Sequence, residues 1–469
     1  MMIDWLKKWA QETPDKCFIT DYSDAESSQD YSFRDTYNMV KTREKLYAGP
    51  LKKEQRVALL ADNSFAFFTL LYSLLLLKKE VLLLNTQLSL YEIENQAQEL
   101  GIQTIFVAPE LQEKIKNSTQ PTLYWNSSRL SNQTASELPN RSYKSENIAV
   151  IMNTSATTGK FKSVPITWKM LDAHVKASAA TIGVLPEDNW LVVLPMFHVS
   201  GLSIIMRTLY NGTHATILPH FDENLVLDLV SAGKINMMSL VPTMLKRLID
   251  RLERHRLRMI LLGGEFIPQP LITASRTKNL PIYKTYGMTE TFSQSVTFNI
   301  LDFPEKIASV GKALPGVKIS IKNPDTTGAG EIWLDSPMLM DGYLGRSPLL
   351  DGFETGDIGR LDADGFLYVL NRRRDIIISG GENIYPKEIE NLLYELPEIR
   401  ECAVVPRSDS IWGQIPILYF SSDGASKFDE TVKSYLTEKL AKYKLPHEFI
   451  RLDELPKNAS GKILRKELK

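Results

Sequence analysis

A polar segment rich in hydroxyl groups follows the apolar run 148–152 and has the composition of a phosphate-binding loop. It reads Asn153-Thr-Ser-Ala-Thr-Thr-Gly-Lys-Phe-Lys162. Hydroxyl and backbone N–H groups donate hydrogen bonds to phosphate oxygens, and lysines offset the negative charge of a phosphate. The Gly-x4-Gly-Lys-Ser/Thr spacing of a Walker A loop is missing. Taken alone, the segment is equally well an ordinary polar surface loop.

Three further polar motifs lie after apolar runs or in a turn. Leu262-Gly-Gly-Glu265 and Thr285-Tyr-Gly-Met-Thr-Glu290 each come after an apolar run, and Thr355-Gly-Asp357 has the composition of a turn. A carboxylate in such a turn can accept hydrogen bonds from both hydroxyls of a ribose.

One histidine and one lysine lie in motifs that could act on an acid. His198 follows Leu194-Pro-Met-Phe, and Lys462 ends the segment Leu455-Pro-Lys-Asn-Ala-Ser-Gly-Lys462. A lone histidine is usually structural, and a lysine beside a glycine near the chain end is usually solvated. A carboxylic acid is already ionised near neutral pH, so no base is needed to activate it.

The segment 372–386 combines a charged cluster, a short strand and a glycine pair. It reads Arg-Arg-Arg-Asp-Ile-Ile-Ile-Ser-Gly-Gly-Glu-Asn-Ile-Tyr-Pro. Ile376–Ile378 is β-branched and bounded by turn residues, which predicts a strand. Gly380-Gly381 predicts a tight turn where the backbone can approach a ligand. Such a segment suits a hinge between two domains that also forms the wall of a site, although a charged loop before an edge strand has the same composition.

Alternating strands and helices must position these motifs. Segments with helical spacing, such as 222–232 and 243–253, lie between several short apolar runs, and this alternation predicts an α/β fold with largely parallel sheets. Ligands of such sheets bind at the carboxyl ends of the strands, where most of these motifs lie. The polar segment 117–141 is predicted to be a surface excursion. The runs predicted as buried strands are Val57–Ala61, Ile102–Ala108, Ile148–Met152, Trp190–Leu194, Met238–Val241 and Met259–Leu262.

Length, charge and cysteine content exclude several classes of protein. A chain of 469 residues is too long for one compact core, so at least two domains are expected. The net charge of −1 provides no basic surface for nucleic acid. Cys17 and Cys402 are too few for a disulfide framework or a cysteine metal site. The apolar run Phe65–Leu77 is shorter than the roughly 20 residues of a membrane span, so a buried helix and a cytoplasmic protein are expected.

In their order along the chain, these motifs resemble those of the adenylate-forming acyl-CoA synthetase superfamily over essentially the whole chain. The resemblance implies an acetyl-CoA synthetase-like fold. A large N-terminal domain, 1–373, would contain a small β-barrel-like subdomain at 314–370. A small mobile α+β domain, 374–469, would turn about a hinge at Arg374. It also implies ATP and CoA as co-substrates, Mg²⁺ as cofactor, and a two-step reaction through an acyl-adenylate.

The resemblance also implies roles for individual residues. The catalytic ones are Lys462, which would bridge the carboxylate and the α-phosphate, His198, which would shape the site for the substrate carboxylate and not act as a base, and Thr289. The residues that would contact ATP or AMP are Thr154, Ser155, Thr157, Thr158, Gly159, Lys162, Gly263, Gly264, Glu265, Thr285, Tyr286, Gly287, Asp357 and Arg372. Those expected at CoA are Ser379, Gly380, Gly381 and Glu382, and Glu290 is the expected Mg²⁺ ligand.

The phosphate-binding loop departs from the family pattern at three positions. Ala156 and Ser163 stand where the family has glycine, and Phe161 stands where it has proline. Ala156 matters most, because glycine adopts backbone angles that alanine resists. The hydroxyls, Gly159 and Lys162 remain, so we expect the loop to function.

Several short segments resemble the branch of the superfamily that makes the CoA thioester of an aromatic dicarboxylic acid. One carboxylate of such an acid reacts and the other needs a polar or cationic partner. The segments are Leu194–Ser203, Ser239–Thr243, Gly287–Gln294 and Ala441–Pro446. The residues expected to contact the acid are His198, Ser200, Arg207, Gly264, Ser293 and Gln294, although Arg207 could equally lie on a helix surface.

Three alternatives remain open from the sequence. A 4-coumarate-like or medium-chain acyl-CoA ligase would share every motif, and a fatty-acid ligase would want a more apolar pocket than His198, Ser293 and Gln294 provide. A stand-alone adenylation enzyme would load a carrier protein instead of CoA. A non-catalytic nucleotide-binding scaffold would not need Glu290, Asp357 and Lys462. The sequence also allows a homo-oligomer.

Overall fold

The computed structural model describes residues 4–24, 27–119, 122–124, 144–155, 161–253, 255–264, 267–372, 375, 377–379, 382–409, 412–423, 428–440, 442–458 and 461–468. Side-chain caps fix where several helices begin, because Ser32, Ser64, Ser89, Thr167 and Asp222 each accept a hydrogen bond from the backbone N–H three residues later. The helices are α1 Trp5–Glu12, α2 Phe33–Ala48, α3 Phe65–Leu76, α4 Leu90–Glu99, α5 Gln112–Ile115, α6 Trp168–Ile182, α7 Val199–Asn211, α8 Glu223–Ser231, α9 Pro242–Leu248, α10 Gln269–Thr277, α11 Pro386–Leu393 and α12 Phe428–Lys439.

The strands are mostly short and alternate with the helices over the first 290 residues. They are β1 Cys17–Asp24, β2 Ser27–Ser32, β3 Arg56–Leu60, β4 Glu80–Leu84, β5 Ile105–Val107, β6 Thr122–Tyr124, β7 Ile148–Ser155, β8 Phe161–Thr167, β9 Asn189–Val192, β10 His214–Ile217, β11 Met237–Leu240, β12 Met259–Leu262, β13 Ile282–Met288, β14 Ser293–Asn299, β15 Lys312–Ala313, β16 Lys318–Lys322, β17 Gly330–Asp335, β18 Phe353–Leu361, β19 Leu367–Arg372, β20 Ile377–Ser379, β21 Glu382–Ile384, β22 Ile399–Asp409, β23 Gly413–Ser422 and β24 Glu448–Arg451.

Two large sheets dominate the first 313 residues. The nine-stranded sheet has the order β15-β14-β13-β12-β11-β9-β10-β1-β2, and the six-stranded sheet has the order β6-β5-β3-β4-β7-β8. Their central strands pair in parallel, and antiparallel pairing among the described strands is confined to the edges. The predicted α/β fold with largely parallel sheets is therefore confirmed.

One hydrophobic cluster joins a face of each large sheet to α3, α6 and α7. It contains Val57 and Leu83 of the six-stranded sheet together with Val192 of the nine-stranded sheet. Helix α3 is buried along almost its whole length, as predicted for the apolar run that begins at Phe65. None of the described helices is long and apolar enough to cross a membrane.

The structure differs from the sequence expectations at two elements. The helix predicted over 243–253 ends at Leu248, and a 3-10 turn, Ile249–Arg251, follows it. Thr122–Tyr124 forms an edge strand parallel to β5, within the segment predicted to be only a surface excursion. A three-residue strand at a sheet edge leaves too short a pattern to recognise in the sequence.

Two smaller sheets follow the large ones. Strands β16 to β19, within and just beyond the predicted β-rich segment, form a four-stranded antiparallel sheet. Strands β20 to β24 form a five-stranded sheet, and its hydrophobic cluster includes Ile389 of α11 and Val432 of α12. This α+β unit has its own core. The exact boundary between the two predicted domains stays a prediction, as does the hinge.

Candidate active site

The predicted phosphate-binding loop connects two antiparallel strands, β7 and β8. Thr154 and Lys162 lie opposite each other at the end of this hairpin, and the Thr154 hydroxyl donates to the Lys162 carbonyl at 3.4 Å. The Lys162 ammonium lies 4.9 Å from the ring centroid of Tyr343. The non-family residue Ser163 is accommodated, because its hydroxyl donates to Asn153 Oδ1 at 2.7 Å.

Tyr343 connects the phosphate-binding loop with the predicted metal ligand. Its hydroxyl donates to Oε1 of Glu290 at 2.6 Å, and the neighbouring Leu344 N–H donates to the Ser163 carbonyl at 3.0 Å. Burial, and then the charge of Glu290, raise the pKa of Tyr343, so the phenol stays protonated and remains a donor. Among the described residues, Oε2 of Glu290 has no hydrogen-bond partner.

A single carboxylate oxygen fits a cation that is held largely by a nucleotide. No group of three His, Cys, Asp or Glu side chains that could hold a metal occurs in the part of the chain that the structure describes. A Mg²⁺ ion at Glu290 would therefore need phosphate and water oxygens to complete its ligands, which is how this ion commonly binds. The donor set at Glu290 fits the predicted cofactor.

Tyr286 and Asp357 meet where a nucleoside is expected. The Tyr286 hydroxyl donates to Oδ2 of Asp357 at 2.7 Å, and Asp357 is buried. Asp357 lies opposite Arg372 in the β18–β19 pair. The structure thus gathers three residues predicted to bind ATP, from two different sheets. Within the Tyr286–Asp357 pair, a carboxylate oxygen accepts from a phenol as it would from a ribose hydroxyl.

Close contacts with neighbouring atoms explain why two positions of the predicted nucleotide site are glycine. A Cβ atom on Gly287 would lie 1.6 Å from the carbonyl oxygen of Ser293, and one on Gly263 would lie 2.5 Å from Cγ2 of Thr285. Gly264 has φ +85°, a conformation that L side chains rarely adopt. Glycine is therefore required at these positions to bring the ends of β12, β13 and β14 together.

Strained backbone connects the predicted metal ligand to the residues predicted to bind the acid. Thr289 opens a 3-10 turn, Thr289–Thr291, and the two residues after the turn both have positive φ angles, +48° at Phe292 and +86° at Ser293. Non-glycine residues in this region cost of order 1–3 kcal/mol each and concentrate at functional sites. Gln294 directly follows these two residues, and its side chain is buried.

The histidine of the Leu-Pro-Met-Phe-His motif lies at the start of α7. His198 is the residue before the helix, and Ser200 lies in its first turn. Burial lowers the pKa of His198, which favours the neutral imidazole and agrees with a shape-forming role. Asn63 fixes the motif, because its side chain donates to the Leu194 carbonyl at 2.9 Å and accepts from the Met196 N–H at 2.7 Å.

Arg207 lies on the inner side of α7 and is 1% exposed, so it is not a surface residue. Its Nε and Nη2 atoms lie 3.1 and 2.7 Å from Nε2 of His174, and Nη2 donates to Oε1 of Gln294 at 3.4 Å. The guanidinium lies 5.2 Å from the ring centroid of Trp190. Burial lowers the pKa of Arg207 to about 9, which still leaves the group charged at neutral pH.

Three buried nitrogens in this group lack a partner. Among the described residues, Nη1 of Arg207, Nε2 of Gln294 and Nδ1 of His174 have no hydrogen-bond partner. Buried polar groups without partners are rare, and an unpaired buried charge costs several kcal/mol. The N–H groups of Arg207 and Gln294, two residues predicted to contact the acid, therefore form a candidate anion subsite.

The predicted adenylation lysine lies in a tight turn that closes on its own backbone. Asn458 Oδ1 accepts from the Lys462 N–H at 2.9 Å, and the Asn458 carbonyl accepts from the Gly461 N–H at 2.9 Å. The Lys462 side chain is exposed. A Cβ atom on Gly461 would lie 3.4 Å from Oγ1 of Thr243, so this turn lies against the start of α9.

The segment predicted to contact CoA belongs to the small sheet. Ser379 is buried and pairs with Glu382 across the β20–β21 hairpin and with Gly413 of β23. Several other predicted residues lie outside the described residues, namely Thr157, Thr158, Gly159, Glu265, Arg374, Gly380 and Gly381. The side chains of Ser155, Arg372 and Glu382 are likewise not described.

Three residues of the site were missed by the sequence reasoning. Asn63 and Tyr343 carry no recognisable pattern, because their partners Met196 and Glu290 are far away in the sequence. His174 left a signal: it lies three residues after Leu171 and four before Ser178, so helical spacing places it on the buried side of α6.

Family models and curated relatives match almost the whole chain. The AMP-binding enzyme model matches residues 6–344, and the AMP-binding enzyme C-terminal domain model matches residues 388–462. The 2-succinylbenzoate–CoA ligase of Lactococcus lactis is 58% identical over 465 residues, which are 99% of each chain. The ligase of the same name from Listeria monocytogenes is 35% identical over 482 residues, covering 100% of this chain and 99% of that one.

Two solved structures of one relative match this chain with different TM-scores. The o-succinylbenzoate CoA synthetase MenE from Bacillus subtilis, in complex with the acyl-adenylate intermediate OSB-AMP, has a TM-score of 0.90 and 34% identity, with 100% and 98% of the two chains covered. A double mutant of the same enzyme, bound with its product analogue OSB-NCoA, has a TM-score of 0.74 with the same identity and coverage.

Proposed function

Because the chain belongs to the AMP-binding enzyme family, we propose that it joins 2-succinylbenzoate to CoA in two steps driven by ATP. In the first step the acid carboxylate attacks the α-phosphate of ATP, which gives an acyl-adenylate and releases pyrophosphate. In the second step the CoA thiol attacks the acyl carbon, AMP leaves, and a thioester remains. The enzyme would act in menaquinone biosynthesis, in the cytoplasm, where ATP and CoA are available.

The assignment of the substrate rests on two unpaired hydrogen-bond donors, Nη1 of Arg207 on α7 and Nε2 of Gln294 beside it. Nη1 of Arg207 and Nε2 of Gln294 are buried and lack acceptors among the described residues. The substrate has two carboxylates; one is consumed in the reaction and the other remains charged. That second carboxylate can accept from both donors and neutralise the guanidinium, which removes the cost of an unpaired buried charge. An acid without it would leave that cost in place.

The nucleotide would lie between the Tyr286–Asp357 pair and the Lys162–Tyr343 pair. Asp357 is suited to accept from the ribose hydroxyls, with Tyr286 against the adenine, and Lys162 offsets phosphate charge beside Tyr343. When bound, Mg²⁺ would be held by Glu290 and phosphate oxygens and would neutralise charge on the phosphates. The protein itself contributes chiefly positioning and electrostatic stabilisation.

The second step requires different residues at the acyl carbon. We place the CoA pantetheine beside the segment 379–382, and we place the hinge for its approach at Arg374. A turn of the small unit about this hinge would withdraw Lys462 and bring Ser379 toward the adenylate. Hinge closure of this kind is a common way to run two half-reactions in one site.

A panel of acids tests the assignment directly. The protein is incubated with ATP, Mg²⁺ and CoA together with 2-succinylbenzoate, benzoate, 4-coumarate or octanoate, and thioesters are measured by mass spectrometry. We expect a strong 2-succinylbenzoyl-CoA signal, with the other acids near background and with Lys462→Ala as the negative control. Thioesters formed only from other acids would refute the substrate. Acyl-adenylates without thioester would instead indicate a carrier-protein acceptor.

A further inference from the structure

The buried arginine of the acid subsite is held by an uncharged side chain. Arg207 lies on α7, and the side chain that holds it is His174 of α6, which is fully buried. A buried arginine is normally paired with a carboxylate. Among the described residues no Asp or Glu forms an ion pair with Arg207, and its shortest side-chain contact is Nη2 to His174 Nε2 at 2.7 Å.

The geometry fixes the protonation state of this histidine. Two N–H groups of Arg207 point at Nε2 of His174, which must therefore be the bare acceptor nitrogen, with the ring proton on Nδ1. Burial, and then the charge of Arg207, lower the pKa of His174 well below its usual value. A neutral imidazole can hold the guanidinium without cancelling its charge.

Aromatic rings confine the pair on both sides. The ring of Phe292 meets His174 edge-on, with centroids 5.2 Å apart and planes at 83°, and the Trp190 ring lies 5.2 Å from the guanidinium. The remaining guanidinium nitrogen, Nη1, has no partner among the described residues. Arg207 is thus fixed in orientation, while the N–H groups on Nη1 have no acceptor among the described residues and the positive charge has no counter-ion among them.

We infer that His174 is a positioning residue for the acid: it orients Arg207 through an uncharged acceptor, so that the second carboxylate of the substrate becomes the counter-ion of Arg207. The inference rests on the proposed function and deepens it. A carboxylate at position 174 would satisfy Arg207 internally and repel the substrate. The selectivity for a dicarboxylic acid would then depend on the absence of charge at position 174, as well as on the presence of charge at position 207.

A matched pair of substitutions isolates charge from shape. H174Q keeps a neutral acceptor, and H174E has almost the same size but adds a negative charge. For H174Q we expect the KM for 2-succinylbenzoate to stay within about threefold of the wild-type value. For H174E we expect it to rise on the order of 100-fold, as for the loss of a close charge pair, while the KM for ATP changes less than about twofold.

A second substitution covers the case in which H174E does not fold. H174L removes the acceptor without adding charge, and it is expected to raise the KM for the acid while H174Q restores it. Thermal unfolding of each variant reports folding. A monocarboxylic analogue, 4-oxo-4-phenylbutanoate, should react weakly with the wild type and lose no further activity in H174E, because it has no second carboxylate to be repelled.

The outcomes separate this inference from the proposed function. If the wild type makes no 2-succinylbenzoyl-CoA, the proposed function fails, and this inference fails with it. If the wild type is active but H174Q and H174E have equal KM values for the acid, only the role of His174 is overturned. Equal behaviour of H174L and H174Q, or a matching rise in the KM for ATP, would likewise show a purely structural role.

Discussion

At the scale of single residues, Tyr343 orients the carboxylate that is expected to hold Mg²⁺. Its hydroxyl donates to Glu290 Oε1 at 2.6 Å, and its ring lies beside the Lys162 ammonium. Tyr343→Phe removes the donor but keeps the ring. We expect the rate of adenylate formation to fall about tenfold and the KM for MgATP to rise severalfold, because Glu290 loses its orientation. Pyrophosphate release measures both values.

A matched control separates this effect from the loss of any tyrosine hydroxyl. The Tyr368 hydroxyl donates to Asp362 Oδ2 at 3.2 Å, in a group of residues that we assign no part in the reaction. Tyr368→Phe should leave the rate and the KM for MgATP unchanged within about twofold. If Tyr343→Phe behaves like Tyr368→Phe, Tyr343 does not position the metal ligand.

The sequence suggested candidate residues for the site but not the contacts between them. Motif order alone brought forward Glu290, Asp357 and Arg207, because each lies in or near a short recognisable segment. The sequence did not identify His174 and Tyr343, whose roles depend on partners 33 and 53 residues away. Helical spacing could place His174 on the buried side of α6, but it could not name Arg207 as its partner, because only the packing of α6 on α7 brings this pair together.

At the scale of elements, the junction of β13 and β14 depends on a glycine. A Cβ atom on Gly287 would lie 1.6 Å from the Ser293 carbonyl oxygen, and this is backbone that cannot move without breaking the strand pair. Gly287→Ala should therefore destabilise the protein by more than about 3 kcal/mol or abolish folding. The free energy of unfolding in urea, or the soluble yield, measures the loss.

Another glycine provides the control for this substitution. Gly49 follows α2 with φ −70°, and a Cβ atom there would meet nothing within 4 Å. Gly49→Ala should change the free energy of unfolding by less than about 1 kcal/mol, and a small gain is expected because alanine restricts the unfolded chain. Equal stability of the two variants would mean that the β13–β14 junction can relax around a methyl group.

Elements with an uninterrupted apolar run could be predicted from the sequence, whereas irregular ones could not. The runs in β3, β7 and β12 carry at least four consecutive apolar residues, which is enough to identify buried strands. The positive φ angles at Phe292 and Ser293 had no sequence signal, because neither residue type favours that conformation. Tertiary packing imposes this strained turn, which directly precedes Gln294 of the candidate anion subsite.

At the scale of the whole molecule, two half-reactions require two arrangements of the same parts. The acyl-adenylate complex of the Bacillus relative has a higher TM-score to this chain, 0.90, than the complex of its double mutant with the product analogue, 0.74. In the present arrangement the turn at Gly461 lies against Thr243, at the start of α9, and α9 follows the carboxyl end of β11. This places the Lys462 turn at the edge of the sheet where Gly263 and Gly264 also lie, which is the position that our proposal for adenylation needs.

Substitution of Lys462 should therefore separate the two steps. Lys462→Ala keeps the backbone N–H that donates to Asn458 Oδ1, so we expect the turn to stay intact. Adenylate formation should fall at least about 1,000-fold, because the variant lacks the positive charge that would stabilise the negative charge of the transition state. Thioester formation from supplied 2-succinylbenzoyl-AMP and CoA should stay within about threefold. Lys442→Ala, at another exposed lysine of the small unit, should affect neither step. Equal loss of both half-reactions in Lys462→Ala would contradict the exchange of Lys462 for the CoA-binding segment.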